Sequence, residues 1–171
     1  MTRFVYIFLL TGFFILPELL LRNFGLFFPF CAVFVFYTAT AFGPSWGFLA
    51  ACLAALGLDS IGGGTAHPWS ILIFSSVVYL AAVWLKRAES DSILMNFLPG
   101  LIIPVQVWFL SLIFFSEHGF TVLIEQFPAL IPAVAFSAVW LPCMIYLLDN
   151  LNEKLALPLF TDAKLKQKLK L

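Results

Sequence analysis

The chain has 171 residues, of which 63% are hydrophobic and only 11% charged, and nine Lys and Arg balance nine Asp and Glu. A soluble domain is about 25% charged, so these charges are too few to coat a soluble fold, and the hydrophobicity excludes a disordered chain. Zero net charge argues against a nucleic-acid binder. The composition is that of an integral membrane protein.

Charged residues and a Gly-Pro break divide the chain into apolar segments. A bilayer core about 30 Å thick needs roughly 20 apolar residues per helix, so we predict an all-α bundle of six transmembrane helices. The apolar runs are nearly solid, whereas barrel strands would alternate apolar and polar residues. The predicted helices cover residues about 4–21, 24–42, 45–60, 68–85, 93–115 and 127–148. We expect two regions: a membrane domain at residues 1–150 and a basic cytoplasmic tail at 151–171.

The distribution of Lys and Arg predicts the orientation, because cytoplasmic loops carry an excess of both. With the N-terminus inside, Arg22 is the sole basic residue in an outer segment. The other eight fall inside: Arg3, Lys86, Arg87, Lys154, Lys164, Lys166, Lys168 and Lys170. Both termini are therefore predicted to be cytoplasmic, and the first apolar run is a retained helix, since it lacks a small-x-small cleavage site.

The first three helices differ in side-chain size. Twelve of the 21 Phe residues fall within residues 1–48, which favours a lipid-facing or partner-facing surface for the first two helices. The third helix instead has Gly47, Ala51 and Ala55 at intervals of four. Small residues let helices approach closely in lipid, so we expect the third helix to be central and buried.

Asp59 lies at the end of the third helix, just before the run Gly62-Gly63-Gly64. A carboxylate at a helix C-terminus is disfavoured by the helix dipole, so Asp59 needs compensating donors. The expected donors are N–H groups of the glycine turn or the hydroxyls of Ser60 and Thr65. Asp59 is thus interpreted as a structural clamp of an outer turn, and contact with a ligand or ion is the alternative.

Two further polar side chains lie within the apolar segments. Glu18 precedes Arg22 by four residues, an order that favours an ion pair, and a transporter's coupling carboxylate is the alternative. Gln106 is the strongly polar side chain deep in the fifth helix, where an interhelical hydrogen bond is expected. A substrate contact is the alternative for Gln106.

Catalytic and metal-binding patterns are weak in this sequence. Cys31, Cys52 and Cys143 are scattered and are interpreted as small core residues. His67 and His118 lie in outer loops, although a zinc site needs three or four converging ligands. No nucleophile stands beside a base, so we expect neither an enzyme nor a cofactor.

The C-terminal tail alternates lysines with apolar residues from Lys164 to Lys170. Near an anionic inner leaflet each lysine adds about 1 kcal/mol of attraction. The tail is therefore expected to bind the lipid surface, with docking to a cytoplasmic partner as the alternative.

The segment GFLAACLAALGLDSIGGG, followed by a helix containing SSVVYLAAVWLKR, resembles the rod shape-determining protein MreD family. The family typically has a short small-residue helix ending in Leu-Asp, a Ser/Gly turn and a Tyr-Leu pair in the next helix. Leu58-Asp59, Gly62-Gly63 and Tyr79-Leu80 match this pattern. The specific match covers residues 47–87, and Ala66-His67-Pro68-Trp69 departs from the family's Leu-Gly pair.

The resemblance implies a non-enzymatic scaffold of the cell-elongation machinery in the bacterial inner membrane. Its expected partners are an MreC-type single-span protein and, through it, the peptidoglycan-synthesising enzymes. The residues expected to carry structure or partner contact are Asp59, Gly62, Gly63, Tyr79 and Gln106. The family's helical arrangement is similar to that of the substrate-binding components of energy-coupling-factor transporters. A vitamin-capture component is therefore the alternative function.

Overall fold

The computed structural model describes residues 2–61, 69–87, 93–115 and 120–163. These residues form six helices, a short helix at 160–163, and no strand. The six are α1 (Thr2–Asn23), α2 (Phe30–Ala41), α3 (Pro44–Ile61), α4 (Trp69–Arg87), α5 (Ile93–Phe115) and α6 (Phe120–Lys154). All the helices except α2 and 160–163 are long and apolar enough to cross a membrane, by length and composition. The protein is thus a multi-pass helical membrane protein.

The central helix is α2. It packs against each of the other five helices, and all twelve of its residues are buried. The remaining helices surround it in the order α1, α3, α4, α5, α6, in which each helix contacts the next. Within the described residues, α1 and α6 do not pack against each other, so this ring of helices is open between them.

The position of α2 corrects two expectations from the sequence. The predicted helix 24–42 begins only at Phe30, and its 12 residues span about 18 Å. Its Phe side chains lie in the core rather than on the lipid-facing surface. The central place expected for α3 therefore belongs to α2. A helix as short as α2 fits inside the bundle because the other helices, rather than lipid, contact it along its length.

The small-residue stripe predicted on α3 does lie in a helix contact. Gly47, Ala51 and Ala55 are buried, and a Cβ at Gly47 would come within 2.4 Å of the Ala39 Cβ on α2. The absence of a side chain therefore lets these two backbones approach. The same holds for Gly100 on α5, where a Cβ would lie 2.6 Å from the Ser137 carbonyl oxygen of α6.

The start of α1 and the end of α6 lie at the same end of the bundle. The Tyr6 ring packs on Phe42, with centroids 5.8 Å apart, so α1 begins where α2 ends. Tyr37 of α2 bonds Asp149 near the end of α6. An antiparallel α1–α2 pair and a parallel α2–α6 pair follow from these contacts.

The last helix is longer than the predicted span 127–148. At 35 residues, α6 extends about 52 Å, well beyond a bilayer core of about 30 Å. The first part of the predicted tail also packs on the bundle, because Phe160 is 1% exposed. The lysines from Lys164 to Lys170 lie outside the described residues.

The cysteines are placed less uniformly than expected. Cys31 is a buried core residue, as predicted, but Cys52 is half-buried and Cys143 is exposed. The interpretation of Cys143 as a core residue is therefore wrong. Its helix presents that position on the outer surface of the bundle.

Candidate functional site

Asp59 ties the end of α3 to the start of α4. The Ser70 hydroxyl donates to Asp59 Oδ1 at 2.5 Å. Ser70 is a donor that the sequence did not predict. Of the predicted donors, Thr65 and the glycine turn lie outside the described residues. Ser70 lies in the first turn of the next helix, and only the packing of α3 on α4 brings it near. Asp59 Oδ2 is buried and has no partner among the described residues.

The other residues carried by the family resemblance are Gly62, Gly63 and Tyr79. Gly62 and Gly63 lie outside the described residues. Tyr79 is on the outer face of α4, and 73% of its surface is exposed. Exposure at this level makes Tyr79 available for contact with lipid or with another protein.

Gln106 connects α5 to α4. Its Nε2 donates to the Ser76 Oγ at 2.6 Å, and the Ser76 hydroxyl in turn bonds the Ile73 carbonyl of its own helix. This is the interhelical hydrogen bond expected for a polar side chain deep in an apolar helix. Asp59 and Gln106 therefore bond different residues of α4, Ser70 and Ser76, whereas Tyr79 lies exposed on the same helix.

Glu18 is more than the surface ion pair that its spacing from Arg22 predicts. Arg22 Nη2 donates to Glu18 Oε1 at 3.0 Å, but Glu18 itself is only 2% exposed. Its second oxygen, Oε2, accepts the backbone N–H of Cys31 at 2.8 Å. Pro29, at the N-cap of α2, makes no side-chain capping bond. A carboxylate from α1 therefore caps α2 and stabilises its positive dipole end.

A second polar cluster joins α2 to α6. The Tyr37 hydroxyl donates to Asp149 Oδ1 at 2.8 Å and accepts a hydrogen bond from Asn152 Nδ2 at 2.8 Å. Tyr37 and Asn152 are fully buried. Because Asp149 and Asn152 are three residues apart, they lie on the same face of α6.

The same cluster anchors the chain that follows α6, which we name the strap (residues 155–163). Asp149 accepts the N–H groups of Phe160 and Thr161, at 2.9 and 3.2 Å, and the Thr161 hydroxyl at 3.1 Å. Asn152 Nδ2 also donates to the Pro158 carbonyl at 2.9 Å. The Phe160 ring stacks on Tyr37 with centroids 5.9 Å apart and planes 10° from parallel.

This cluster was not predicted from the sequence, although a signal was present. Asp149 directly follows the last predicted span, 127–148. Directly after the apolar residues 143–148, Asp149 and Asn152 place two polar groups on one face of α6, a pattern that predicts a polar partner. Which partner it was could not be read, since Tyr37 is more than a hundred residues away in the sequence.

The outer face of α1 is strongly apolar. Its exposed side chains include Phe4, Phe8, Leu16 and Leu20, which recur every four residues. Gly12 continues this ridge, and a Cβ there would meet nothing within 4 Å. Unlike Gly47 and Gly100, Gly12 leaves a notch that no neighbour within the chain fills.

The polar side chains at these sites make hydrogen bonds between parts of the fold. Glu18, Asp59, Gln106 and Asp149 each bond a partner on another helix or in a following segment. Within the described ranges, no three His, Cys, Asp or Glu side chains converge to hold a metal ion. His67 and His118 lie outside those ranges.

Comparison with known proteins adds no relative: no protein-family model, no curated protein and no solved structure matches this chain. The geometry and the resemblance carried by residues 47–87 therefore provide the basis for a functional proposal.

Proposed function

We propose that the chain is a non-enzymatic membrane scaffold of the bacterial cell-elongation machinery, similar to MreD. It would link an MreC-type single-span partner to peptidoglycan synthesis and so help set rod shape. The proposal rests on the motif Leu58-Asp59 with Tyr79-Leu80 and on the distribution of polar and apolar groups in the structure.

The observation that carries the proposal is the outer face of α1. Several polar side chains inside the bundle are bonded within the chain, as in the pairs Glu18–Arg22 and Ser76–Gln106. The outward ridge around Gly12 has no such internal use. In a helix interior, glycine costs about 1 kcal/mol relative to alanine, and in lipid small residues permit close approach of another helix. The notch at Gly12 suits the single transmembrane helix of a partner.

The burial of α2 narrows the proposed contact surface. The sequence placed partner contacts on the Phe-rich positions of both of the first two helices. Phe34 and Phe36 are 1% and 0% exposed, so they are not accessible to a partner. The proposal therefore concerns Phe4, Phe8 and Leu16 on α1, together with exposed Tyr79 on α4.

The proposed location is the bacterial cytoplasmic membrane, with both termini in the cytoplasm. The excess of Lys and Arg in the segments predicted to be inside supports this orientation. An even number of passes also agrees with the start of α1 and the end of α6 lying at the same end of the bundle. The lysines from Lys164 to Lys170 would then face the anionic inner leaflet.

The proposal is tested by site-specific photo-crosslinking in native membranes. A photoreactive residue is placed at Phe8 or Leu16 on the ridge, with buried Phe36 as a matched control. We expect the ridge positions to capture a single-span MreC-type protein and peptidoglycan synthases to co-purify. Capture of paired ATPases with a coupling membrane subunit would instead support the transporter alternative, and equal capture at Phe36 would exclude a role for the ridge.

A further inference from the structure

The six helices divide into two parts, and the helices within each part pack together more extensively than the two parts pack against each other. The α5–α6 hairpin (α5 with α6) has the most extensive pairing in the bundle, helped by the close approach at Gly100. The four-helix body (α1–α4) is held together by broad contacts around α2. The contacts between the hairpin and the body are sparser than those within either part.

Directional contacts between hairpin and body are concentrated in a few places. Gln106 and Ser76 join α5 to α4, and Phe30 packs on Trp140 with centroids 5.5 Å apart. At the end of the bundle where α1 begins and α6 ends, Tyr37 bonds Asp149 and Asn152. This contact between α2 and α6, which we name the α2–α6 joint, is the one that the strap reinforces.

The strap does not continue α6 but turns back and contacts both α6, at Asp149, and α2, at Tyr37. After α6 the chain turns at Ala156, whose φ of 52° is left-handed and uncommon for a residue with a side chain. The Leu157 N–H returns to the Asn152 carbonyl at 2.8 Å, closing a helix-terminating turn without the usual glycine. The strained turn directs Phe160 back onto α2.

The strap also covers α2 where helices leave it uncovered. The ring of helices is open between α1 and α6. Phe160 packs on Tyr37 and Phe36 of α2, and all three side chains are buried. The Phe160 side chain therefore occupies space that would otherwise leave the central helix exposed.

We propose that the strap is a latch that closes the α5–α6 hairpin onto the four-helix body. When docked, its N–H groups hold Asp149 in the position that bonds Tyr37, and the Phe160 ring seals α2. When the strap leaves, Asp149 loses three donors and the α2–α6 joint loses its aromatic cover. The hairpin then separates from α2 at this end, while the four-helix body stays intact. The latch does not depend on which partner binds the ridge of α1.

The test measures two distances by double electron–electron resonance in the full-length protein in lipid nanodiscs. Spin labels replace exposed Lys86 on α4 and Asn150 on α6 to report the gap between body and hairpin. Labels at Lys86 and exposed Arg3 on α1 report the body alone. The native cysteines are replaced by Ala: Cys31→Ala, Cys52→Ala and Cys143→Ala.

Phe160→Ala is expected to add a longer distance for the α4–α6 pair and to leave the α1–α4 pair unchanged. Loss of an aromatic pair corresponds to a rise of about tenfold in the ratio of open to closed hairpin. Leu155→Ala, in the same strap at a 46% exposed position, is the matched control and should resemble wild type.

Two outcomes would overturn the latch: Phe160→Ala distances equal to those of Leu155→Ala, or lengthening of both pairs alike. If Phe160→Ala does not fold, Phe160→Leu and Thr161→Val replace it, since they remove only the ring stacking or one hydroxyl bond. Unchanged α4–α6 distances in both of these variants would equally exclude the proposal.

Discussion

Glu18 of α1 accepts a hydrogen bond from the backbone N–H of Cys31, the second residue of α2, over 2.8 Å. One side chain thereby satisfies an open N–H at the start of the central helix and pairs with Arg22. In most helices such a cap comes from the residue just before the helix. Here that residue is Pro29, which has no side-chain acceptor, so the cap is supplied by a neighbouring helix.

We expect Glu18→Ala to lower stability more than Glu18→Gln, because glutamine keeps an oxygen that can accept the Cys31 N–H. Losing a buried partner of a backbone donor costs about 1–3 kcal/mol. Unfolding midpoints in mild detergent measure the difference, and exposed Glu153→Gln serves as the control for charge alone. Equal midpoints for Glu18→Ala and Glu153→Gln would show that the cap is dispensable.

Ser70→Ala is expected to destabilise the protein by about 1–3 kcal/mol, since it removes the donor that Asp59 Oδ1 accepts. Ser75→Ala is the matched control, because the Ser75 hydroxyl bonds the Ile71 carbonyl within its own helix at 2.6 Å. If the two variants unfold at the same temperature, Asp59 does not clamp α3 to α4. If Ser70→Ala is the less stable variant, as we expect, adding Asp59→Asn should restore part of the lost stability. The reason is that a neutral amide is less costly to bury than an unpaired carboxylate.

The two classes of helical glycine should respond oppositely to alanine. Gly47→Ala forces a Cβ into Ala39 and is expected to lower stability by about 1–3 kcal/mol. Gly12→Ala meets open space and gains helix propensity, so it should be neutral or slightly stabilising in the isolated protein. Thermal unfolding of both purified variants checks this. A destabilised Gly12→Ala variant would contradict the open notch.

The contact between Gln106 and Ser76 is suited to a double-mutant cycle. Hydrogen bonds between membrane helices are coupled by about 0.6 kcal/mol on average, with values near 1–2 kcal/mol in model peptides. Unfolding free energies of Gln106→Leu, Ser76→Ala and the double variant give the coupling. A value of zero would mean that the bond adds nothing to the packing of α4 against α5.

The predicted orientation can be measured with a membrane-impermeant thiol reagent in intact cells. Phe24→Cys, in the segment between α1 and α2, should react from outside, since Phe24 is 78% exposed. Asp162→Cys, in the exposed part of the strap, should react only after the membrane is opened. If only Asp162→Cys is labelled in intact cells, the orientation is the reverse of the predicted one. If both variants are labelled in intact cells, α2 does not complete a pass.

Much of the helical content was predictable because it depends on local pattern. The run of apolar residues between charges located α1, α3, α4 and α5, with bounds close to those expected. The bounds of α2 were wrong, since Gly25 and Pro29 end one helix and delay the next in a stretch that is uniformly apolar. Hydropathy does not register this interruption, but backbone geometry does: Gly25 has a φ of 73° in the turn that terminates α1.

The contacts of the candidate site also separate into those that the sequence predicts and those that depend on the fold. Spacing alone predicted the pair Glu18–Arg22, and chemistry alone predicted that Gln106 would bond a neighbouring helix. The Cys31 N–H, Ser70 and Tyr37 were not predictable as partners, because each comes from a different element whose position depends on packing.

The sequence by itself determined that this is a helical membrane protein, because hydrophobicity and charge act residue by residue and need no knowledge of the fold. It also determined which glycines and alanines lie along one helix face, since that follows from the helical repeat. Only the tertiary structure decided that α2 is the buried centre and that the strap returns to it. In a chain that is apolar almost throughout, hydrophobicity cannot distinguish core from lipid-facing surface. The inside is therefore set by shape and by a few long-range hydrogen bonds, such as that from Tyr37 to Asp149.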